Sequence, residues 1–259
     1  MIVIGRGSRF LQVVAENRRN ITTKFEVIKK NRFLKDGHKI CEYTEKCLYD
    51  HILQNPTQLV VFCNYPWILK IDWGKLPVII CHAGKLPKYR GASVINWAYL
   101  NGEKDITTSI IGFSKNLDCG NIICEKVINI DHLPLTVLRG KIDQAFSEQV
   151  KNINFYFKKK GFLPIGKKPQ MSSFVYRKRT PKDSVITCED FSYEELKKTV
   201  LSCEKGYWAR AKLERQWYEI YFISTDLEKI QKYKNMFNGK IYTLDCFGKK
   251  FHIIATQTL

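Results

Sequence analysis

The chain has 259 residues, of which 44% are hydrophobic, and it carries a formal net charge of +18. This composition excludes an intrinsically disordered chain, and the length is sufficient for one large core and a second, smaller domain. No apolar run approaches the roughly eighteen residues of a membrane span, and the opening run MIVIGRG lacks the features of a cleaved signal. We therefore expect a cytoplasmic protein with no membrane partner.

The first part of the chain alternates predicted strands and helices, which is typical of a parallel sheet with helices on both faces. Helical spacing then extends through residues 135–159, interrupted only by Gly140. The other predicted elements are strands at 2–4, 59–63 and 78–81, helices at 8–16 and 92–100, and β-rich runs at 106–113 and 121–130. These elements predict a first domain at residues 1–160.

Glycine and proline recur in residues 161–182, which predicts a connector without regular structure. Residues 183–259 then form a predicted smaller α+β domain. Its helix begins after Ser192, because Glu195 follows at the spacing of a capping box. Its predicted strands lie at 218–223, 240–244 and 251–255.

Nine cysteines raise the question of a disulfide framework or a metal site. Their number is odd, no pair has the Cys-x-x-Cys spacing, and Cys63, Cys81 and Cys124 lie inside apolar runs. Reduced, buried thiols behave as small hydrophobic side chains. The pattern therefore predicts packed thiols and no metal site.

The most informative segment begins with the apolar run Val78 to Cys81, which ends in His82. Open α/β sheets bind ligands at the carboxyl ends of their strands, and imidazole exchanges protons near neutral pH. Asp118 follows thirty-six residues later in an Asp-Cys-Gly turn, where it is either a turn former or a partner of the imidazole. Backbone hydrogen bonding in a core is the alternative for His82.

A longer motif surrounds these two residues. It reads HxxxLPxxRG, then Trp, Asn-Gly and Leu-Asp-Cys-Gly, in an uninterrupted order. Its residues are His82, Leu86, Pro87, Arg90, Gly91, Trp97, Asn101, Gly102 and the run Leu117 to Gly120. The motif resembles the 10-formyltetrahydrofolate-dependent formyltransferases, methionyl-tRNA formyltransferase and its sugar-nucleotide relatives in particular. The resemblance implies a Rossmann-like, doubly wound and mainly parallel sheet, and formyl transfer from 10-formyltetrahydrofolate to a primary amine.

Catalytic roles follow from this resemblance. His82 would accept the amine proton and stabilise the oxyanion, and Asp118 would orient the imidazole and pass the proton on. The family has an asparagine two residues before the histidine, where this chain has Ile80, which cannot donate a hydrogen bond. Asn64, at the end of the preceding predicted strand, is a candidate replacement for that donor, and a turn residue is the alternative.

The resemblance also implies that folate binds between the loops 64–69 and 113–118. Trp67, Ile68 and Leu69 would supply apolar walls, although core packing explains them equally well. Asn116, Leu117 and Asp118 lie in the second loop, from which backbone groups would bind the pterin.

Charge is the main indication of the acceptor. Residues 151–182 hold ten basic residues and no acidic one, a composition suited to a polyanion such as tRNA or to a solvated lysine-rich surface. Together with the resemblance, this charge makes methionyl-tRNA, used in translation initiation, the predicted acceptor. A sugar nucleotide is the alternative, favoured by the short C-terminal region and by Gly84-Lys85 in place of the family's usual Ser-Leu. A catalytically weak homologue that binds folate or RNA is the third reading, suggested by Ile80.

Overall fold

The structure, a computed structural model, describes residues 1–258 apart from 31, 38, 131–132, 171–173, 187–190, 205–207 and 247. The helices in these residues are α1 Gly7–Asn17, α2 Glu45–Leu53, α3 Val94–Leu100, α4 Leu135–Lys160, α5 Tyr193–Leu201 and α6 Leu227–Lys234. The strands are β1 Ile2–Gly5, β2 Thr23–Lys29, β3 Arg32–Lys35, β4 Lys39–Glu42, β5 Val60–Cys63, β6 Val78–His82, β7 Asp105–Gly112, β8 Ile122–Asn129, β9 Val185–Ile186, β10 Ala209–Leu213, β11 Gln216–Ser224, β12 Lys240–Cys246 and β13 Lys249–Thr258.

Eight strands form a large sheet in the order β4-β3-β2-β1-β5-β6-β7-β8. The four central strands, β2, β1, β5 and β6, are parallel, whereas β3, β4 and β7 each run antiparallel to an inner neighbour. Strands β1 and β5 are buried along their whole length, as expected for strands covered on both faces of a sheet. The predicted α/β, Rossmann-like fold class is thereby confirmed.

Buried thiols lie side by side in the centre of this sheet. Cys63 on β5 and Cys81 on β6 are in register, and their Sγ atoms are 3.7 Å apart. Both are buried, and neither forms a disulfide. Burial, followed by the neighbouring Cys63 thiol, raises the pKa of Cys81. The prediction that these cysteines are packed thiols is confirmed, whereas Cys124 is only partly buried.

Helix α4 runs parallel to α1 along the sheet. Near the start of α1, Arg9 pairs with Asp143 at 3.2 Å, and just beyond its end Lys158 donates to the Asn20 side chain at 2.8 Å. Helix α1 begins at the carboxyl end of β1 and returns along the strand. The last turn of α4 therefore lies at the edge of the sheet opposite the carboxyl ends of the central strands.

Contacts divide the chain into two compact units. The first comprises residues 1–91, 106–128 and 139–175, and the second comprises 92–105, 129–138 and 176–259. The chain thus crosses between the two units several times before residue 160. The division into functional domains at residues 160 and 182 stays a prediction.

The second unit contains the five-stranded sheet β12-β13-β11-β10-β9 and the helices α3, α5 and α6. The capping box at the start of α5 is formed as predicted, with Ser192 and Glu195 bonded to each other's backbone N–H groups. Within this unit, the Trp97 indole donates to the Arg177 carbonyl and the Asn101 amide donates to the Tyr176 hydroxyl. Two residues of the sequence motif thus anchor the segment that leads into the second sheet.

No helix in the described part of the chain combines the length and hydropathy that crossing a membrane requires.

Candidate active site

His82 is the last residue of β6 and is buried. Its Nε2 lies 2.5 Å from the carbonyl oxygen of Tyr89. A carbonyl oxygen only accepts hydrogen bonds, so Nε2 carries a proton in this geometry. Nδ1 is then the nitrogen that can accept a proton, and it faces Oδ1 of Asp118 at 3.6 Å. The structure therefore brings together the two residues that the sequence proposed as a catalytic pair.

The Asp118 turn is held by the Arg-Gly pair of the motif. Nε and Nη2 of Arg90 donate to the Leu117 carbonyl at 3.0 and 2.8 Å, and the Gly91 N–H donates to Oδ2 of Asp118 at 2.8 Å. Asp118 has a φ of 52°, in the left-handed region that costs a non-glycine residue of order 1 kcal/mol. The contacts from Arg90 and Gly91 hold this conformation and keep the carboxylate beside the imidazole.

Gly84 is required by the close packing of the loop after β6. A Cβ atom at this position would lie 2.7 Å from the Tyr89 carbonyl oxygen and 2.9 Å from Nε2 of His82. Any side chain here would therefore push apart the hydrogen bond that fixes the imidazole.

We expect Gly84→Ala to lower kcat by about tenfold or more, because the methyl group displaces the Tyr89 carbonyl and frees the His82 ring to rotate. Steady-state formyl transfer measures the effect. The matched control is Gly140→Ala in α4, where a Cβ meets nothing within 4 Å, so that variant should keep its activity. Unchanged kcat in Gly84→Ala would show that the Tyr89 contact is not needed.

Asn64 follows β5 and adopts a left-handed φ of 53°. Its Nδ2 donates to the Arg6 carbonyl at 3.2 Å, in the turn between β1 and α1. Among the described residues no hydrogen bond joins Asn64 to His82. The structure thus places Asn64 at the same sheet edge as His82 with its amide bonded elsewhere, and its role as an oxyanion donor stays a prediction.

The predicted folate walls lie on a partly open apolar face of the large sheet. Trp67 and Leu69 are half-buried and pack on the core beneath the central strands, whereas Ile68 is 58% exposed. Other half-buried apolar side chains on this face are Tyr43, Tyr65, Ile71, Ile80 and Phe113. Burial, followed by the charge of Glu45, raises the pKa of Tyr65 to about 12. This face therefore offers apolar and aromatic contacts, and the Tyr65 hydroxyl on it stays protonated near neutral pH.

The loop 113–118 returns the chain from β7 toward His82. Asn116 is exposed and its carbonyl accepts from Cys119, while the Leu117 carbonyl is bonded by Arg90. The loop closes where Gly120 meets Gly112, because a Cβ on Gly120 would lie 1.8 Å from the Gly112 oxygen. The glycine of the Leu-Asp-Cys-Gly run is thus required by backbone contact.

Ile80 lies on the same strand face as His82, two residues before it. It is in register with Phe62 on β5 and Ile111 on β7, and its side chain is half-buried. The position two residues before His82 is thus apolar and partly accessible.

Sequence reasoning did not assign roles to Tyr89, Arg90 or Gly91 in building the site. Arg90 and Gly91 were visible as motif positions, whereas Tyr89 was not. Only the fold shows that the Tyr89 carbonyl contacts His82 and that the Arg90 guanidinium contacts the Leu117 carbonyl. Among the residues that the structure describes, no group of three or more His, Cys, Asp or Glu side chains is arranged to hold a metal ion.

Comparison with known proteins identifies the family. The model of the formyl transferase family matches residues 18–153. A methionyl-tRNA formyltransferase of Borreliella afzelii is 30% identical over 254 residues, which cover 93% of this chain and 72% of that protein. The chain belongs to the formyl transferase family. His82, Asp118 and the motif between them all lie inside the segment that the family model matches.

Solved structures agree with this fold. A methionyl-tRNA formyltransferase from Clostridium thermocellum is 17% identical, with a TM-score of 0.66 over 99% of this chain and 97% of that one. An N-formyltransferase from Helicobacter canadensis, solved with folinic acid and dTDP-3-aminofucose, is 14% identical, with a TM-score of 0.64 over 99% of this chain and 98% of that one. At these identities the similarity shows the formyltransferase fold.

Proposed function

We propose that this formyltransferase moves the formyl group of 10-formyltetrahydrofolate to the amino group of methionyl-tRNA. The observation that carries the proposal is the arrangement of His82 and Asp118 at the carboxyl end of β6, with Nδ1 of the imidazole directed at the carboxylate. An amine that attacks a formyl carbon must lose a proton, and this pair provides a place for it.

Each residue of the site has a separate role in the proposed reaction. When bound, 10-formyltetrahydrofolate supplies the formyl carbon. His82 takes the amine proton on Nδ1, because Nε2 is held by the Tyr89 carbonyl, and Asp118 stabilises the resulting imidazolium. The positive charge of the imidazolium stabilises the negative charge that develops on the formyl oxygen, and His82 can then return its proton to the departing nitrogen of tetrahydrofolate. Arg90 and Gly91 position Asp118 for this role.

The apolar face beside His82 fits the flat ring system of a folate. Trp67, Leu69 and Phe113 are half-buried, so a ring placed on them gains apolar contact without displacing the core. Asn116, Leu117 and Asp118 lie in the facing loop and offer backbone groups for hydrogen bonds. Folinic acid in the Helicobacter canadensis structure supports a folate donor for this fold.

The acceptor is proposed from similarity and charge. The Borreliella afzelii relative, whose match covers 93% of this chain, is a methionyl-tRNA formyltransferase, and a chain with a net charge of +18 suits a polyanionic acceptor. The decisive experiment supplies purified protein and 10-formyltetrahydrofolate with methionyl initiator tRNA and, separately, with a panel of amino-sugar nucleotides. Formyl transfer to the tRNA alone is the expected result, and transfer to a sugar alone would contradict the proposal.

A sugar nucleotide is the second candidate acceptor. It is favoured by residues 183–259, which hold 12 Lys or Arg and 11 Asp or Glu and therefore present little net charge to an RNA. It is also favoured by the Helicobacter canadensis neighbour, whose coverage and TM-score are close to those of the methionyl-tRNA enzyme. The same assay separates the two acceptors.

The role of Asn64 is tested by Asn64→Gly, which removes the amide and keeps the left-handed backbone. We expect a small loss of thermal stability and an unchanged kcat, because Nδ2 already donates to Arg6. A fall in kcat of about a hundredfold would instead assign the oxyanion donor to Asn64. Thermal unfolding and steady-state kinetics on the same preparation distinguish these results.

A further inference from the structure

We propose that the edge of the large sheet opposite His82 is a docking surface for RNA. This surface, called the basic edge below, consists of Arg18, Arg19, Lys158, Lys159 and Lys160. The inference rests on the proposed function, because it identifies where the body of a tRNA acceptor contacts the protein. It concerns the first compact unit alone.

The charge of this chain is unevenly distributed. Residues 183–259 hold 12 basic and 11 acidic residues, whereas residues 1–182 hold 31 basic and 14 acidic ones. A surface that is basic only for solubility would not need this separation. The excess positive charge therefore belongs to the part of the chain that contains the large sheet.

The five residues of the basic edge come from two adjacent chain segments. Arg18 and Arg19 begin a short 3₁₀-helix, Arg18–Asn20, directly after α1, and Lys158 to Lys160 form the last turn of α4. Lys158 joins the segments by donating to the Asn20 side chain at 2.8 Å. Burial, followed by the charge of Lys158, lowers the pKa of the Met1 amino group, so the amino terminus also lies near this cluster.

The positive charge of the basic edge is not neutralised. All five side chains are exposed, and none forms an ion pair with a carboxylate in the described part of the chain. Glu16, the acidic residue nearest to Arg18 in sequence, accepts a hydrogen bond from Gln12. Like charges held close together without acidic partners repel one another, and binding of a polyanion removes that repulsion and releases its counterions.

The distance between His82 and the basic edge indicates how large a ligand must be to contact both. Asp143 lies beside the start of α1, at the edge where His82 lies, and Lys158 lies beyond the end of α1. Lys158 follows Asp143 by fifteen positions along α4, which corresponds to about 22 Å of helix. A sugar nucleotide bound at His82 would not reach the basic edge, whereas a folded RNA can contact both places at once.

Anionic lipid is the other polyanion that a basic surface can bind. Phe155 and Phe162 are 71% and 54% exposed near the basic edge, but the other large apolar side chains of the last turns of α4, Ile153 and Phe157, face the core. An interfacial helix instead presents a continuous apolar stripe to the bilayer. We therefore commit to RNA, and vesicle binding is an outcome of the test.

The experiment compares two triple variants with equal charge loss. Lys158→Gln/Lys159→Gln/Lys160→Gln alters the basic edge, and Lys229→Gln/Lys232→Gln/Lys234→Gln on α6 is the matched control from the nearly neutral C-terminal region. The affinity for methionyl initiator tRNA is measured across a salt series. The basic-edge variant should bind more weakly by about tenfold or more at low salt, with a salt slope flatter by roughly two to three units. The control should bind like the unaltered protein.

Three further measurements make the result decisive. Arg18→Gln/Arg19→Gln, which keeps the Lys158–Asn20 bond, should weaken tRNA binding in the same direction. For both basic-edge variants KM for the tRNA should rise while kcat at saturation stays unchanged, which a folding defect would not produce. In sedimentation with vesicles that contain phosphatidylserine, the basic-edge variants should bind the vesicles no more weakly than the unaltered protein does.

Four outcomes would overturn the inference. The first is that both basic-edge variants formylate the tRNA and bind it with unaltered affinity, and the second is that the α6 control loses as much tRNA affinity as they do. The third is that the basic-edge variants lose affinity for the anionic vesicles but still bind tRNA normally. The fourth is that the unaltered protein neither binds nor formylates the tRNA. Only the last of these also contradicts the proposed function.

Discussion

Replacing His82 with alanine is expected to lower kcat by about two orders of magnitude or more, because the variant loses the group that accepts the amine proton. The side chain is held by the Tyr89 carbonyl and faces Asp118, so no neighbouring residue of the motif can take its place in the same position. Single-turnover formyl transfer measures the chemical step. A near-normal rate would remove His82 from the mechanism.

Asp118→Asn is a more conservative test of the same catalytic pair, because it changes the charge and keeps the shape of the side chain. Asparagine tolerates the left-handed φ of 52° and can still accept from the Gly91 N–H, so the turn should persist. What is lost is the negative charge opposite Nδ1. We therefore expect kcat to fall by about a hundredfold with little change in thermal stability, and a rate close to that of the unaltered protein would show that the charge is not used.

The second large effect is expected at Ile80. Ile80→Asn should raise kcat by about tenfold or more, because it places an amide donor two residues before His82, on the same strand face. Ile80 is only half-buried, so the amide need not lose all its contact with solvent. A loss of about 1 kcal/mol in the free energy of unfolding is expected from the weaker apolar contacts and the lower strand propensity of asparagine.

Ile80→Leu is the matched control for this gain. Leucine has the branching of asparagine without its hydrogen-bonding groups, so it reproduces the change of shape alone. The gain should appear in Ile80→Asn only, measured as kcat at saturating acceptor. Equal rates in the two variants would mean that shape decides, and a lower rate in Ile80→Asn would mean that the site already has its donor.

The central part of the fold was predictable because its signals are local. Strands β1, β5 and β6 are continuous apolar runs bounded by glycine, asparagine or proline, and a strand covered on both faces requires that composition. Helix α5 was predictable for a different reason. Its start depends on Ser192 and Glu195, which bond within one turn of chain, so no distant residue is needed.

The sequence analysis did not predict strands β2, β3 and β4 or helices α2 and α6. In β3 only Phe33 of four residues is buried, and in β2 Phe25 and Val27 are the buried positions. These strands lie toward the end of the sheet where β4 is the edge strand, and they bury few side chains, so their alternation is too short to stand out from a loop. Helix α6 has two buried residues among mostly charged ones, and its identity depends on packing against β11 and β13.

For the candidate site, the sequence by itself determined that an imidazole stands at the end of a buried strand and that an Asp-x-Gly turn follows. It also determined that Ile80 cannot donate a hydrogen bond. The tertiary structure alone decided that Nε2 of His82 is bound by Tyr89, that Nδ1 faces Asp118, and that Asn64 bonds to Arg6. These contacts depend on the order of strands in the sheet and on loops that return over it, which bring together residues up to fifty-eight positions apart. Local propensity carries no information about such pairs, because their energies arise only when the whole sheet has formed.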